Sequence, residues 1–256
     1  MALPRPFSIL ALLVITSMLA ACNMPAPASP PGDSSAAVTE PAPQTTGQCS
    51  NPLQPVILGA TWTYSMSGIT TGTFTRSITA VRDDGFTDQD VFQGGVTRTG
   101  EWTCAAGALT ALSPAEGISG MVQTEGMTAE FQTRSASGIT LPAIVRPGDS
   151  WSQNFTIEGT QSIGGQDVQS TGDMSYSCTA ADNETVIVAA GAFDAMRVGC
   201  RINATITVTM SGVEVPTEVT SAATMWYARS VGMVKTENEI ADIGHSTIEL
   251  TAYTVP

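Results

Sequence analysis

Between Ile202 and Met210 the chain alternates without interruption: Ile202, Ala204, Ile206, Val208 and Met210 stand against Asn203, Thr205, Thr207 and Thr209. A period of two puts one set of side chains on each face, so this segment reads as a strand with one buried and one wet face. The same pattern recurs where Trp62, Tyr64 and Met66 alternate with Thr61, Thr63 and Ser65. It returns where Ile248, Leu250 and Ala252 alternate with Thr247, Glu249 and Thr251. One-sided burial is the mark of an antiparallel sheet. Turn residues divide the runs: Asp83-Asp84-Gly85, Gly94-Gly95, Ala106-Gly107, Arg146-Pro147-Gly148-Asp149, Gly164-Gly165, Asp182-Asn183 and Ser211-Gly212. Strands are expected at 61–67, 72–82, 90–104, 108–112, 120–132, 139–145, 150–160, 166–179, 184–189, 193–210, 214–228, 231–240 and 244–254. No segment holds a helical period over three turns. So many hairpin-linked strands predict an all-β fold, a curved antiparallel sheet closing as a half-barrel or barrel.

The N-terminus is of another kind. Arg5 precedes the apolar run Phe7-Ser8-Ile9-Leu10-Ala11-Leu12-Leu13-Val14-Ile15, and small residues close it at Leu19-Ala20-Ala21-Cys22. The run is too short for a comfortable membrane span and has the layout of a signal peptide. Leu-Ala-Ala-Cys resembles the lipobox of bacterial lipoproteins. That resemblance implies a diacylglycerol on the Cys22 thiol, cleavage before it, and acylation of the new amine. Two or more acyl chains, at about 0.8 kcal/mol per buried methylene, hold a protein where a single chain binds only reversibly. The membrane is then the first expected partner, through Cys22, and the location is extracytoplasmic. Asn23, in place of the Asp that retains some lipoproteins in the inner membrane, favours the outer membrane where the cell has one.

Residues 1–21 are thus expected to be a signal peptide, and 22–48 a lipidated cysteine followed by a tether. The tether is rich in Pro, Ala, Ser and Thr and has no apolar period, so it cannot bury enough surface to offset its ordering entropy. A disordered spacer with polyproline character follows from that composition. Residues 49–256 remain as one all-β domain. Gly59-Ala60-Thr61-Trp62 and Gly148-Asp149-Ser150-Trp151 share a Gly-x-x-Trp strand start, which leaves open a duplication of 60–145 in 148–256.

Five cysteines are present. With Cys22 assigned to lipid, Cys49, Cys104, Cys178 and Cys200 form an even set, as expected in an oxidising compartment. Four cysteines allow three pairings. Cys178–Cys200 is favoured because the two lie in neighbouring expected strands, and Cys49–Cys104 would then staple the start of the domain to a strand near Trp102. Zinc is disfavoured: no CxxC pair occurs and His245 is the only histidine.

Composition excludes several functions. The net charge is −13, and cleavage before Cys22 removes Arg5 and takes it to −14. There is no basic stripe for nucleic acid. A Ser-His-Asp triad would have to use His245, and no Gly-x-Ser-x-Gly elbow appears. Phosphate loops and dinucleotide fingerprints are absent. Lys235, the single lysine, reads as a side chain snorkelling at a sheet edge, and Glu237 and Glu239 as acids on a wet face. No catalytic residue, metal ligand or cofactor is expected.

Three segments bear a family resemblance. Pro55-Val56-Ile57-Leu58-Gly59-Ala60-Thr61-Trp62-Thr63-Tyr64 is similar to the first strand of a group of secreted bacterial domains, the DUF3108-like or TapB-like group. Glu184 to Val198 resembles its Val-x-Val-x-Ala-Gly-x-Phe hairpin, and Trp226-Tyr227-Ala228-Arg229-Ser230-Val231-Gly232-Met233-Val234-Lys235 its Trp-Tyr-Ala-x-x-Val-Gly-x-Val-Lys ending. The resemblance implies a curved sheet akin to lipoprotein carriers, with a concave apolar surface, and supplies no catalytic residues. Trp62, Trp151, Trp226 and Met210 are the candidate apolar ligand face, with Met66, Met121 and Met225 as further candidates. The expected function is a non-enzymatic, membrane-tethered lipoprotein that binds an apolar molecule or an envelope protein. The alternative is a structural or adhesive surface protein with no small-molecule pocket.

Overall fold

A computed structural model describes residues 47–114, 129–163, 166–210, 213–241 and 243–256, all within the unit Glu40–Pro256. The leader, Cys22 and most of the tether lie outside the described residues, as does Met121.

Among the described residues twelve strands form one antiparallel sheet: β1 (Thr61–Gly68), β2 (Gly72–Arg82), β3 (Gly85–Phe92), β4 (Thr97–Ala105), β5 (Ala108–Ala111), β6 (Ala129–Gly138), β7 (Ser150–Ile163), β8 (Gln166–Val188), β9 (Gly191–Met210), β10 (Val213–Ala228), β11 (Gly232–Ile240) and β12 (Gly244–Thr254). The spatial order is β5-β4-β3-β2-β1-β12-β11-β10-β9-β8-β7-β6. Two meanders are therefore welded by β1 pairing with β12, and β5 and β6 are left at the two edges. The edges approach one another and nearly close a barrel. Leu109 and Leu141 form a bridge, with Leu109 N–H donating to the Leu141 carbonyl at 2.9 Å and the reverse bond at 3.0 Å. Side chains extend that seam. Ala111 N–H donates to Thr140 Oγ1 at 2.8 Å, and Gln153 Nε2 donates to the Ala111 carbonyl at 2.8 Å.

Four expectations need correction. The strand expected at 120–132 has 120–128 outside the described residues, and β6 runs from Ala129 past the expected end to Gly138. The strand expected at 90–104 is two strands, because the Gly94-Gly95 turn lies within it and both glycines take positive φ. The strand expected at 139–145 is a loop apart from the Leu141 bridge, since Pro142 and Pro147 cannot donate to a ladder. The separate strands at 166–179 and 184–189 are one, β8, carried through a bulge between Ala180 and Asn183. A bulge bends a strand while keeping it in its sheet, so the Asp182-Asn183 turn signal marks curvature and not an ending.

The N-terminal segment crosses the end of the barrel that holds the β4–β5 and β10–β11 turns. Asn51 Nδ2 donates to the Gly107 carbonyl at 2.8 Å and to that of Pro142 at 3.0 Å. Ser230 N–H donates to the Pro52 carbonyl at 2.9 Å. Leu53 and Val56 are buried beneath this cap, and a disulfide joins Cys49 to Cys104. Gly107 is required: its φ is +86°, and a Cβ there would lie 2.6 Å from the Ser50 carbonyl oxygen. The second disulfide, Cys178–Cys200, ties directly opposed residues of β8 and β9.

Part of β10 has an open edge among the described residues. β10 pairs with β9 from Val213 onward, but its pairing with β11 begins only at Ser221. The Thr220 carbonyl accepts from Ala241 N–H, so residues of the same parity, Glu214, Pro216 and Glu218, turn their backbone groups toward the free side. Pro216 removes the central donor from that edge, and Glu214 and Glu218 charge it, two ways of blocking strand addition. Replacing Pro216 with Thr is expected to restore the donor and shift the purified protein toward dimers and larger species in sedimentation velocity. An unchanged monomer would show that the proline has no such role.

Candidate binding site in the barrel interior

On β1 to β4 the inner face is layered. Tyr64, Phe74 and Phe92 stack with centroids 5.0 and 5.2 Å apart, and Phe86 stacks on Trp102 at 5.3 Å. Between these aromatic layers lies a charged rung. Arg76 donates from Nε to Asp90 Oδ1 at 2.8 Å and from a terminal nitrogen to Oδ2 at 2.9 Å, the bidentate geometry that makes such pairs strong. Arg98 also donates to Asp90, and Asp88 lies 3.5 Å from Arg76 Nε. Arg76, Asp88 and Asp90 are buried. Nothing in the alternation pattern distinguishes these positions, because charged residues at inward sites read as outward ones.

The two carboxyls respond in opposite directions. Burial pushes Asp90 up, but Arg76 and Arg98 outweigh it and hold the carboxyl down at about 2. For Asp88, burial outweighs Arg76 and raises its pKa above the ordinary value. A depressed pKa means that Asp90 contributes stability above the unfolded carboxyl value, near 4, and loses it as pH falls toward about 2. Asp88 works against this, favouring the fold most when it is protonated. The thermal midpoint should therefore fall between about pH 4 and pH 2, and Asp90→Asn should remove most of that slope. An identical slope in the variant would exclude Asp90 as its source.

Across the interior, β7 to β10 line a cavity of about 30 Å³, bounded among the described residues by Ile139, Thr140, Gln153, Phe155, Tyr176, Met225, Tyr227, Pro114 and the Cys178–Cys200 disulfide. That is room for about two waters. Its walls are largely apolar. Gln153 is satisfied, donating to Ala111 and accepting from Thr140 Oγ1 at 2.5 Å, and Tyr227 donates to the Met225 sulfur at 3.4 Å. The Tyr176 hydroxyl is buried without a hydrogen-bond partner. Its ring meets Phe155 edge-on at 5.8 Å. Burial raises the pKa of Tyr176, and raises that of Tyr227 to about 12 with Arg76 opposing, so both stay neutral phenols. The orphaned hydroxyl of Ser170 belongs to the same face of β8 as Tyr176.

The structure does not gather the expected ligand face into one site. Trp62 is buried beside the cap, its indole N–H donating to the Val231 carbonyl at 2.6 Å. Trp151 is half-buried and donates to the Thr140 carbonyl at 2.9 Å, next to the cavity. Trp226 follows Met225 on β10 and so faces the opposite side. There it donates to Glu184 at 2.5 Å beneath the Lys235 ammonium, 5.3 Å from its ring centre. Met210 belongs to β9, but its side chain lies outside the described residues. Met66 is partly buried against the core, and Met225 is in the cavity wall. The three segments that carry the family resemblance do converge: Trp62 bonds Val231, Tyr64 Oη donates to the Met233 carbonyl at 2.9 Å, and Trp226 bonds Glu184. Lys235 is not at a sheet edge. β11 is flanked on both sides, and Lys235 pairs with Glu237 at 2.7 Å. His245 is exposed, and no group of three His, Cys, Asp or Glu that could hold a metal occurs among the described residues.

No family model matches the chain, and no curated protein matches it. Solved structures do. A protein of Parabacteroides distasonis assigned as a lipoprotein superposes with a TM-score of 0.51 at 15% identity, over 82% of this chain and 100% of that one. This likeness establishes a shared fold. A Bacteroides fragilis protein assigned as exported, with a YmcC-like fold, gives 0.48 at 14% identity over 80% and 98% of the two chains. The hypothetical lipoprotein YmcC of Escherichia coli gives 0.33 at 10% over 78% and 86%.

Proposed function

We propose that this chain is a membrane-tethered extracytoplasmic lipoprotein without enzymatic activity, whose barrel interior takes an apolar ligand. The observation that carries the binding half is the cavity on the inner face of β7 to β10: apolar walls around a buried phenol that has no partner. Concave, largely apolar sites with a few polar groups are how small-molecule pockets are built. The tether half rests on Leu19-Ala20-Ala21-Cys22 and agrees with the lipoprotein assignment of the Parabacteroides protein that shares the fold. The disulfide at Cys49 and the hydrogen bonds of Asn51 fix the chain where it meets the barrel, at the capped end. A lipid at Cys22 would hold that end of the domain by the tether.

One observation favours the second reading, a structural or adhesive protein that acts by its outer surface. At about 30 Å³ the cavity holds waters and not a whole ligand, so the carrier reading requires the interior to open. Two experiments test the proposal. Cys22→Ser should move the protein from the membrane to the soluble fraction, and retention in the membrane would end the lipid-tether reading. Titrating the exported Cys22→Ser chain, methyl-labelled at methionine, with hexadecanoate should shift the Met225 resonance saturably. No movement at any methionine would favour the structural reading.

A further inference from the structure

Resting on that reading and going into its chemistry, we propose that Tyr176 is the polar anchor of the interior site. The ligand it selects is an apolar molecule ending in a hydrogen-bond acceptor, such as an ester or a carboxylate. Tyr176 is nine-tenths buried, lines the cavity, and leaves its hydroxyl unpaired. A buried polar group without a partner is costly, and native proteins satisfy such groups with water or ligand. The other polar atoms nearby are already committed. Gln153 and Thr140 bond each other and Ala111 across the barrel seam, and Tyr227 donates to Met225. Tyr176 is thus the donor left for an occupant, and its acceptor must come from outside the protein.

The wall around it sets the rest of the ligand. Phe155, Ile139 and Met225 offer apolar surface, and an unbranched thioether can swing aside at little cost. The same clasp that surrounds the cavity also closes the barrel. Between β5 and β7 the seam is held by the Leu109–Leu141 bridge and the side chains of Thr140 and Gln153 in place of a full ladder. Among the described residues the site therefore lies behind a part of the wall held by few backbone bonds. In the empty protein two waters fit the space and can satisfy the phenol.

The test uses the exported Cys22→Ser chain with methyl-labelled methionine and two probes of similar size, ethyl butanoate and heptane. The Met225 methyl should shift saturably with the ester. Tyr176→Phe, which deletes only the unpaired hydroxyl and keeps the ring against Phe155, should weaken ester binding about tenfold, the worth of one hydrogen bond. Heptane binding should be the same in both proteins. Equal ester affinity in wild type and Tyr176→Phe overturns the anchor while leaving an apolar site standing. Failure of both probes to move Met225 overturns the anchor as well and makes the cavity a water site only. Hexadecanoate binding to the same protein would then show whether a ligand is taken elsewhere in the interior.

Discussion

Replacing Arg76 with Leu is expected to lower the thermal midpoint by roughly 10 °C. Leu fills much of the volume, so the effect isolates the charge. In the wild-type protein Arg76 neutralises two buried carboxyls, bonding Asp90 through both oxygens and lying 3.5 Å from Asp88. Breaking a buried pair by removing one partner typically costs about 3–5 kcal/mol, because the remaining charge is stranded. For a domain of this size each kcal/mol moves the midpoint by about 2–4 °C. Arg98 stays beside Asp90 and softens the loss. Adding Asp90→Leu should give a protein much less destabilised than the sum of the two single variants, since contacting partners are not additive. Additive losses would mean that the two side chains contribute independently.

The second large effect concerns the cap. Converting Cys49 and Cys104 together to Ala releases a link spanning 55 residues, worth about 4 kcal/mol by the loop-entropy relation. It should also loosen the segment that closes the barrel end. Gly107 N–H donates to the Gln48 carbonyl and Ser230 N–H to that of Pro52. Amide exchange at Gly107 and Ser230 should accelerate in the variant, while the β10–β11 ladder keeps its protection. Removing Cys178–Cys200 should cost less, because it closes only 22 residues between strands already in register. Unchanged exchange at Gly107 would show that Asn51 holds the cap without the disulfide.

Much of the fold was legible because alternation and turn chemistry agree. Expected strands at 72–82 and 244–254 have the observed bounds, and those at 61–67 and 214–228 each differ by one residue at a single end. Errors arose where one signal had two meanings. Asp182-Asn183 marks a bulge as well as it would a turn, and after Ile139 the buried apolar residues Leu141 and Val145 belong to a loop packed on the core and not to a strand. The site was less legible. Alternation identifies inward positions by their apolar residues, so inward Arg76, Asp88 and Asp90 were invisible to it. Tryptophans attract attention by size, yet Trp62, Trp151 and Trp226 all spend their N–H groups on protein acceptors. Tyr176 differs from them only in lacking a partner, which no sequence pattern records.

Native mass spectrometry of the exported Cys22→Ser chain tests most directly the claim that the barrel interior takes an apolar ligand outside the cytoplasm. The protein should fly with its two disulfides intact and carry a single apolar molecule, released on denaturation and bearing a hydrogen-bond acceptor. A bare monomer in repeated preparations, with no adduct after exposure to envelope lipids, would contradict the claim and leave the protein's work to its outer surface.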